Sequence, residues 1–163
     1  MDEGYFSHIP LLAVAVLNTT GPVLELGAGL GSTLMLHGLC GVMKRSLTTL
    51  ESNSEWLSKF ISFNRSWHKL MFVNSFEDLS VYEEKWGLAF IDHGIMKQRE
   101  TSIRALQHVP MLVVHDTCHP WLYGYEPLLS EFTYRWDWQV NGPMTSVVSN
   151  SLDVSTMFSN IGL

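Results

Sequence analysis

The sequence predicts an α/β fold in three layers, with helices covering both faces of a mainly parallel seven-stranded sheet that ends in an antiparallel hairpin. Three observations carry this. Five apolar runs rich in Val, Leu, Ile and Phe recur along the chain with amphipathic segments between them, the alternation expected of strands joined by helices. Two of the runs, LAFID and MLVVHD, stay apolar until a carboxylate ends them, as do strands covered on both faces. Two β-prone stretches near the C-terminal end flank Asn141-Gly142-Pro143, whose turn chemistry joins them as a hairpin.

The elements follow in order along residues 1–163, which are expected to form one domain. Residues 9–17 follow Asp2 and Glu3 rather than a positive region, so they read as a packing helix and not as a secretory leader. Residues 22–26 (PVLEL) form the first strand. A helix follows Ser32, with Leu34, Met35, Leu36 and Leu39 as its buried stripe. Residues 46–51 are the second strand. Beyond it Ser52-Asn53-Ser54-Glu55 has the spacing of a capping box, Ser52 capping and Glu55 bonding back, with Trp56, Leu57, Phe60 and Ile61 on one face. Residues 69–73 are the third strand, 86–92 the fourth and 111–116 the fifth, with a helix over 96–107. Each intervening helix would be a right-handed crossover. A helix over 125–132 then precedes the hairpin strands 133–140 and 144–149.

Composition removes several function classes. No run of 18 apolar residues is present to span a bilayer. The formal net charge of -6 argues against a general nucleic-acid surface, because Lys and Arg contacts to phosphate supply most non-specific affinity. Cys40 and Cys118 fit neither a disulfide framework nor a zinc spacing, so a reducing cytoplasm is the default compartment. Trp121, Trp136 and Trp138 gather near the C-terminal part and read as packing or an oligomer surface.

Residues 23–32 carry the chemistry. A strand breaks into Gly27-Ala28-Gly29-Leu30-Gly31 and opens a helix at Ser32, the setting in which glycines let backbone approach a ligand. Glu51 lies 20 positions after Gly31 at the end of the next strand, where a carboxylate can accept from both hydroxyls of a ribose. Ser32 stands where a dinucleotide fingerprint wants Gly or Ala, and Glu25 would repel a pyrophosphate yet suit a ligand bearing ammonium and sulfonium charges. The pattern points to S-adenosylmethionine.

Taken together, residues 21–119 resemble class I S-adenosylmethionine-dependent methyltransferases. Within that group the chain is most similar to small-molecule and sugar O-methyltransferase-like proteins. The motifs are the loop at 25–33 (ELGAGLGST), the strand ending Phe90-Ile91-Asp92, and the strand ending His115-Asp116-Thr117. The resemblance implies a Rossmann-like sheet of order 3-2-1-4-5-7-6. It implies that Glu25, Gly27, Gly29 and Gly31 frame the donor's methionine end, that Glu51 binds its ribose, and that Ala28, Ser32, Ser52 and Asp92 also belong to the donor site. Asn74-Ser75-Phe76 stands where the family shows an acidic residue, leaving Ser75 to bond adenine and Phe76 to stack on it. Ile91-Asp92-His93-Gly94 replaces the Asn/Asp-Pro-Pro-aromatic motif of enzymes that methylate nucleic-acid bases, which argues against that activity.

Asp92 and Asp116 end neighbouring strands, where ligands of open α/β sheets bind. Metal-dependent O-methyltransferases hold a cation there, so Asp92 and Asp116 are candidate Mg²⁺ ligands, although Thr117 replaces the family's amide. Asp92, His93 and Asp116 are the candidate catalytic residues. His93 ranks first as the base that removes the acceptor's proton, ahead of His115, His119 and Lys97. The leading expectation is methyl transfer to an oxygen of a small molecule or sugar. A donor-binding protein without transfer, and a nicotinamide-dependent oxidoreductase, are the alternatives. With so little chain beyond the core fold, a second copy or a partner subunit could supply the lid.

Overall fold

Side chains alternate across a strand, so each strand of a covered sheet must feed two cores. The computed structural model describes residues 6–118, 125–140 and 142–160. Its elements are α1 (Ile9–Leu17), β1 (Val23–Leu26), α2 (Ser32–Met43), β2 (Leu47–Glu51), α3 (Ser54–Ser58), β3 (His68–Phe72) and β4 (Leu88–Ile91). There follow α4 (Met96–Ala105), β5 (Leu112–Val114), α5 (Glu126–Leu129), β6 (Tyr134–Trp138), β7 (Thr145–Ser149) and α6 (Val154–Ser159). The strands form one sheet in the order β3-β2-β1-β4-β5-β7-β6. The first five strands in this order are parallel, and β7 is antiparallel to both β5 and β6. This is the Rossmann-like arrangement expected, hairpin included.

The alternation is visible residue by residue. Val23, Leu88, Phe90, Val113 and Val147 enter the core shared with α1, α2 and α6. Leu24, Leu26, Ala89, Ile91, Leu112, Val114 and Val148 enter the opposite core, with Ile103 of α4 and Leu128 and Leu129 of α5. Each fully buried Val, Leu or Phe contributes about 1.5–3 kcal/mol relative to exposure, so a polar residue in these strands has to be accounted for by a specific partner.

Several local expectations are corrected. Leu34 is 56% exposed; the buried stripe of α2 is Ser32, Thr33, Leu36 and Cys40, with Met35 and Leu39 at its margin. Turning the polar pair Ser32 and Thr33 inward rotates Leu34 out. The cap of α3 is Asn53, whose side chain accepts from the Trp56 N–H at 2.9 Å, while the Ser52 N–H is taken by Glu51. Ile61 is exposed because α3 ends at Ser58 and a 3-10 turn at Ile61–Phe63 takes the chain off its face. Asn141, Trp121 and His119 lie outside the described residues.

Candidate functional site

Strand register brings the parallel ends to one level. Leu26 pairs with Leu50 on one side and Ile91 on the other, and Ile91 pairs with Val114. The next residues, Gly27, Glu51, Asp92 and His115, therefore leave the sheet side by side. A cleft of about 490 Å³ opens there, lined by His8, Ala28, Gly29, Leu30, Glu51, Asn53, Trp56, Asp92, Gly94, His115, Asp116 and Pro143.

One wall is the glycine loop. Gly27 has a φ of 98°, and a Cβ on it would lie 2.6 Å from the His93 amide nitrogen, so only glycine fits where the loop crosses the end of β4. The Glu51 carboxylate accepts from the Ala28 N–H at 3.0 Å, the Ser52 N–H at 2.7 Å and the Asn53 N–H at 2.8 Å. It is thereby fixed between the loop and α3, at the cleft surface. Trp56 Nε1 donates to the Ala28 carbonyl at 2.7 Å and pins the loop from the other side.

Glu25 lies beneath that wall, not in it. Its carboxylate is fully buried and accepts from the hydroxyls of Thr33 at 3.0 Å and Thr49 at 2.7 Å. The Gly29 N–H donates to Thr33 Oγ1 at 2.9 Å, which ties the loop to the same group. Thr49 Oγ1 also meets His68 Nε2 at 2.9 Å, and His68 Nδ1 meets His37 Nδ1 at 2.9 Å. Burial pushes Glu25 up to about 7 against the pull of the hydrogen bonds from the Thr49 and Thr33 hydroxyls. The direct attraction to a donor's positive charges expected of Glu25 is replaced by support of the loop from below.

The opposite wall is a charged cluster. Asp92 Oδ1 stands 3.2 Å from His115 Nδ1 and 3.1 Å from Arg99 Nη2. Asp116, in the left-handed region at φ 61°, stands 3.5 Å from both His115 and Arg99. Burial would raise Asp92, but the hydrogen bond and charge of His115 and the charge of Arg99 outweigh it and hold the carboxyl below its usual range. Ser7 Oγ meets His115 Nε2 at 3.0 Å. The Mg²⁺ expectation for Asp92 and Asp116 is not supported, because the groups that face both carboxylates are nitrogens, of Arg99 and His115, and not the further oxygens that Mg²⁺ requires.

Of the residues expected at the site, Ala28, Gly29, Glu51, Asp92 and Asp116 line the cleft together, with Ser52 beside Glu51. Gly31 is buried against Phe6 and Ile9, and Ser32 is buried next to Glu25. Ser75 bonds Gln98 and the Glu77 N–H instead of opening to the cleft. Phe76 is fully buried and stacked on His93 at 3.9 Å, so its face is not open to adenine. His93 is corrected as the base: it is fully buried, bonds Ser102, and burial followed by the charge of Arg99 pushes it down to about 3. Lys97 is exposed and does not line the cleft. His115 is the one described histidine among the four candidates that does. Arg99, His8, Asn53 and Trp56 were not expected; the cation of an amphipathic helix and a histidine just before another give no local signal of convergence.

No family model matches the chain, and no curated protein matches it. Solved structures do. The precorrin-6y C5,15-methyltransferase of Geobacter metallireducens GS-15 superposes with a TM-score of 0.62 at 14% identity, covering 89% of this chain and 88% of that one. That structure shares the Rossmann-like fold described above. The SAH-bound Podospora anserina methyltransferase PaMTH1 gives 0.63 at 14% identity over 85% and 76% of the two chains. A chain from the Haloferax volcanii complex of the Trm112 methyltransferase activator with its partner gives 0.60 at 10% identity over 93% and 92%. Likeness at these identities establishes the fold alone. Among the described residues no helix is long and apolar enough to cross a membrane.

Proposed function

We propose that this chain transfers a methyl group from S-adenosylmethionine to an oxygen of a small molecule or sugar. The observation that supports it best is one cleft with two unlike walls: the Ala28-Gly29 loop with Glu51 on one side, the Asp92–His115–Asp116 cluster on the other. Its volume suits a small ligand. On this reading Glu51, already fixed by three backbone N–H groups, accepts from the donor's ribose hydroxyls, while Ala28 and Gly29 meet its methionine end. Gly27, Gly31, Glu25 and Ser32 shape the loop from below.

The acceptor's hydroxyl then faces Asp92, His115 and Asp116. Its oxygen attacks the methyl carbon in line with the sulfur, the carbon–sulfur bond breaks, S-adenosylhomocysteine leaves, and the hydroxyl proton passes to the cluster. Alignment supplies much of such a rate gain, up to about 7–11 kcal/mol in well-oriented systems. A protein of similar fold is seen with an activator protein, and a partner subunit or second copy covering the open cleft fits this reading.

Thermal unfolding with S-adenosylmethionine, S-adenosylhomocysteine and NAD tests the donor. At 100 times its dissociation constant a bound ligand adds about 2.7 kcal/mol, and the adenosyl compounds should do so where NAD does not. Glu51→Gln should weaken them about tenfold or more, the cost of about 1.4 kcal/mol for one charge-assisted hydrogen bond lost to the ribose. Stabilisation by NAD alone would reject the reading.

A further inference from the structure

His8 is 3% exposed, and neither ring nitrogen has a hydrogen-bond partner. A buried imidazole usually has both satisfied, since leaving a buried polar atom unpaired costs about 1–3 kcal/mol. The ring is firmly placed rather than loose: it packs on Phe90 at 5.0 Å and edge-on to His115 at 4.7 Å. It also lines the cleft, beside Asp92 and His115. One donor atom from each of His8, Asp92 and His115 lies within 4.8 Å of the other two.

We infer that His8, Asp92 and His115 form a binding site for one divalent transition-metal ion of the zinc class, with its open coordination positions facing the cleft. The donor set decides the class of ion. Two imidazoles and one carboxylate suit Zn²⁺, Co²⁺ or Ni²⁺, whereas Mg²⁺ wants oxygen ligands throughout. The closest pair is already at working distance: His115 Nδ1 and Asp92 Oδ1 are 3.2 Å apart, and two ligands about 2.0–2.1 Å from a tetrahedral ion stand roughly 3.3 Å apart. His8 completes the set, with a ring nitrogen within 4.8 Å of both. Metal-binding histidines usually donate their other N–H to a fixed partner, and Ser7 Oγ at 3.0 Å from His115 Nε2 is placed to accept it. Arg99 bonds Asp92 at 3.1 Å and also stands 3.5 Å from Asp116, so its charge is shared between two carboxylates and not given to Asp92 alone. Three protein ligands with an open position are the pattern of a catalytic rather than a structural ion, and a cation there would lower the pKa of a hydroxyl entering the cleft.

This goes beyond the proposed methyl transfer and is tested separately from it. Full-length protein stripped with a chelator is titrated with Zn²⁺ by calorimetry and with Co²⁺ by visible absorption. One ion per chain is expected, with the d–d bands of a nitrogen-containing, low-coordinate Co²⁺ site. His8→Phe keeps the ring packing and should lose at least about a hundredfold in affinity, while Ser7→Ala should lose about tenfold or more through His115. His37→Gln, which removes the other close imidazole pair, should leave the titration unchanged. S-adenosylhomocysteine stabilisation, read on the same metal-free variants, reports folding and the donor site independently. The inference is overturned if wild type binds neither ion, if folded His8→Phe and Ser7→Ala bind as wild type does, or if His37→Gln is the variant that loses the ion.

Discussion

Glu25 and His68 are neighbours through one threonine hydroxyl, and the fold moves their titrations in opposite directions. Burial raises Glu25 from 4.5 to about 7. Burial, then the nearby His37, lowers His68 from 6.5 to about 4. A raised folded value means that the stability Glu25 contributes is complete below pH 4.5 and lost as pH rises through about 7. A lowered folded value means that the contribution of His68 is complete above 6.5 and lost as pH falls through about 4. From 4.5 to 6.5 the two slopes oppose, and just above 6.5 that of Glu25 acts alone. Replacing it isolates the effect. The unfolding free energy of wild type minus that of Glu25→Gln, from urea titrations at pH 4.5 and 7.5, should fall by roughly 3 kcal/mol, at about 1.4 kcal/mol per pH unit. A difference that does not change with pH would mean that Glu25 is ionised in the folded protein throughout. Because Thr33 links Glu25 to the Gly29 N–H, donor affinity should share this pH dependence.

Elements, more than residues, were legible in the sequence. The apolar runs located all five parallel strands: β1, β2, β4 and β5 are buried throughout and leave no polar alternation to confuse, while the edge strand β3 was read from its Leu70-Met71-Phe72 run although Met71 and Phe72 are exposed. The glycine loop and Glu51 were legible because a tight turn and a strand-end acid are local events. His93 was misread for a tertiary reason: the chain after Asp92 passes under Gly27, so the next side chain turns inward onto Phe76. Arg99 and His8 come from α4 and from just before α1, and only packing brings them to one cleft. Two glycines show the same division between local and tertiary information. In α2, Gly38 is exposed with nothing within 4 Å of an added Cβ, so Gly38→Ala should stabilise by about 0.5–1 kcal/mol through helix propensity alone. Gly27→Ala should destabilise by at least about 2 kcal/mol, since its φ is positive and the atoms an added Cβ meets are backbone of Asp92 and His93. Melting curves of the two variants moving in the same direction would contradict this assignment of their roles.

At the scale of the whole molecule, the sheet separates two cores while its carboxyl edge joins them. Leu12 of α1 is fully buried on one face and Ile103 of α4 on the other. They belong to separate clusters of buried side chains, so their losses should add. Leu12→Ala should cost about 2–5 kcal/mol and Ile103→Val about 0.5–1.5 kcal/mol, with the double variant within about 0.5 kcal/mol of the sum in urea titration. The cleft behaves differently because both sides contribute to it: Arg99 reaches it from α4, His8 from the start of α1, and Glu51 from the end of β2. A ligand held there binds only when both cores are formed. Saturating S-adenosylhomocysteine should therefore add the same increment, about 2.7 kcal/mol at 100 times its dissociation constant, to wild type and to each single variant. An increment that shrinks in Ile103→Val but not in Leu12→Ala would show that the donor is held by one face alone. Equal increments would show that neither core alone sets the donor's affinity.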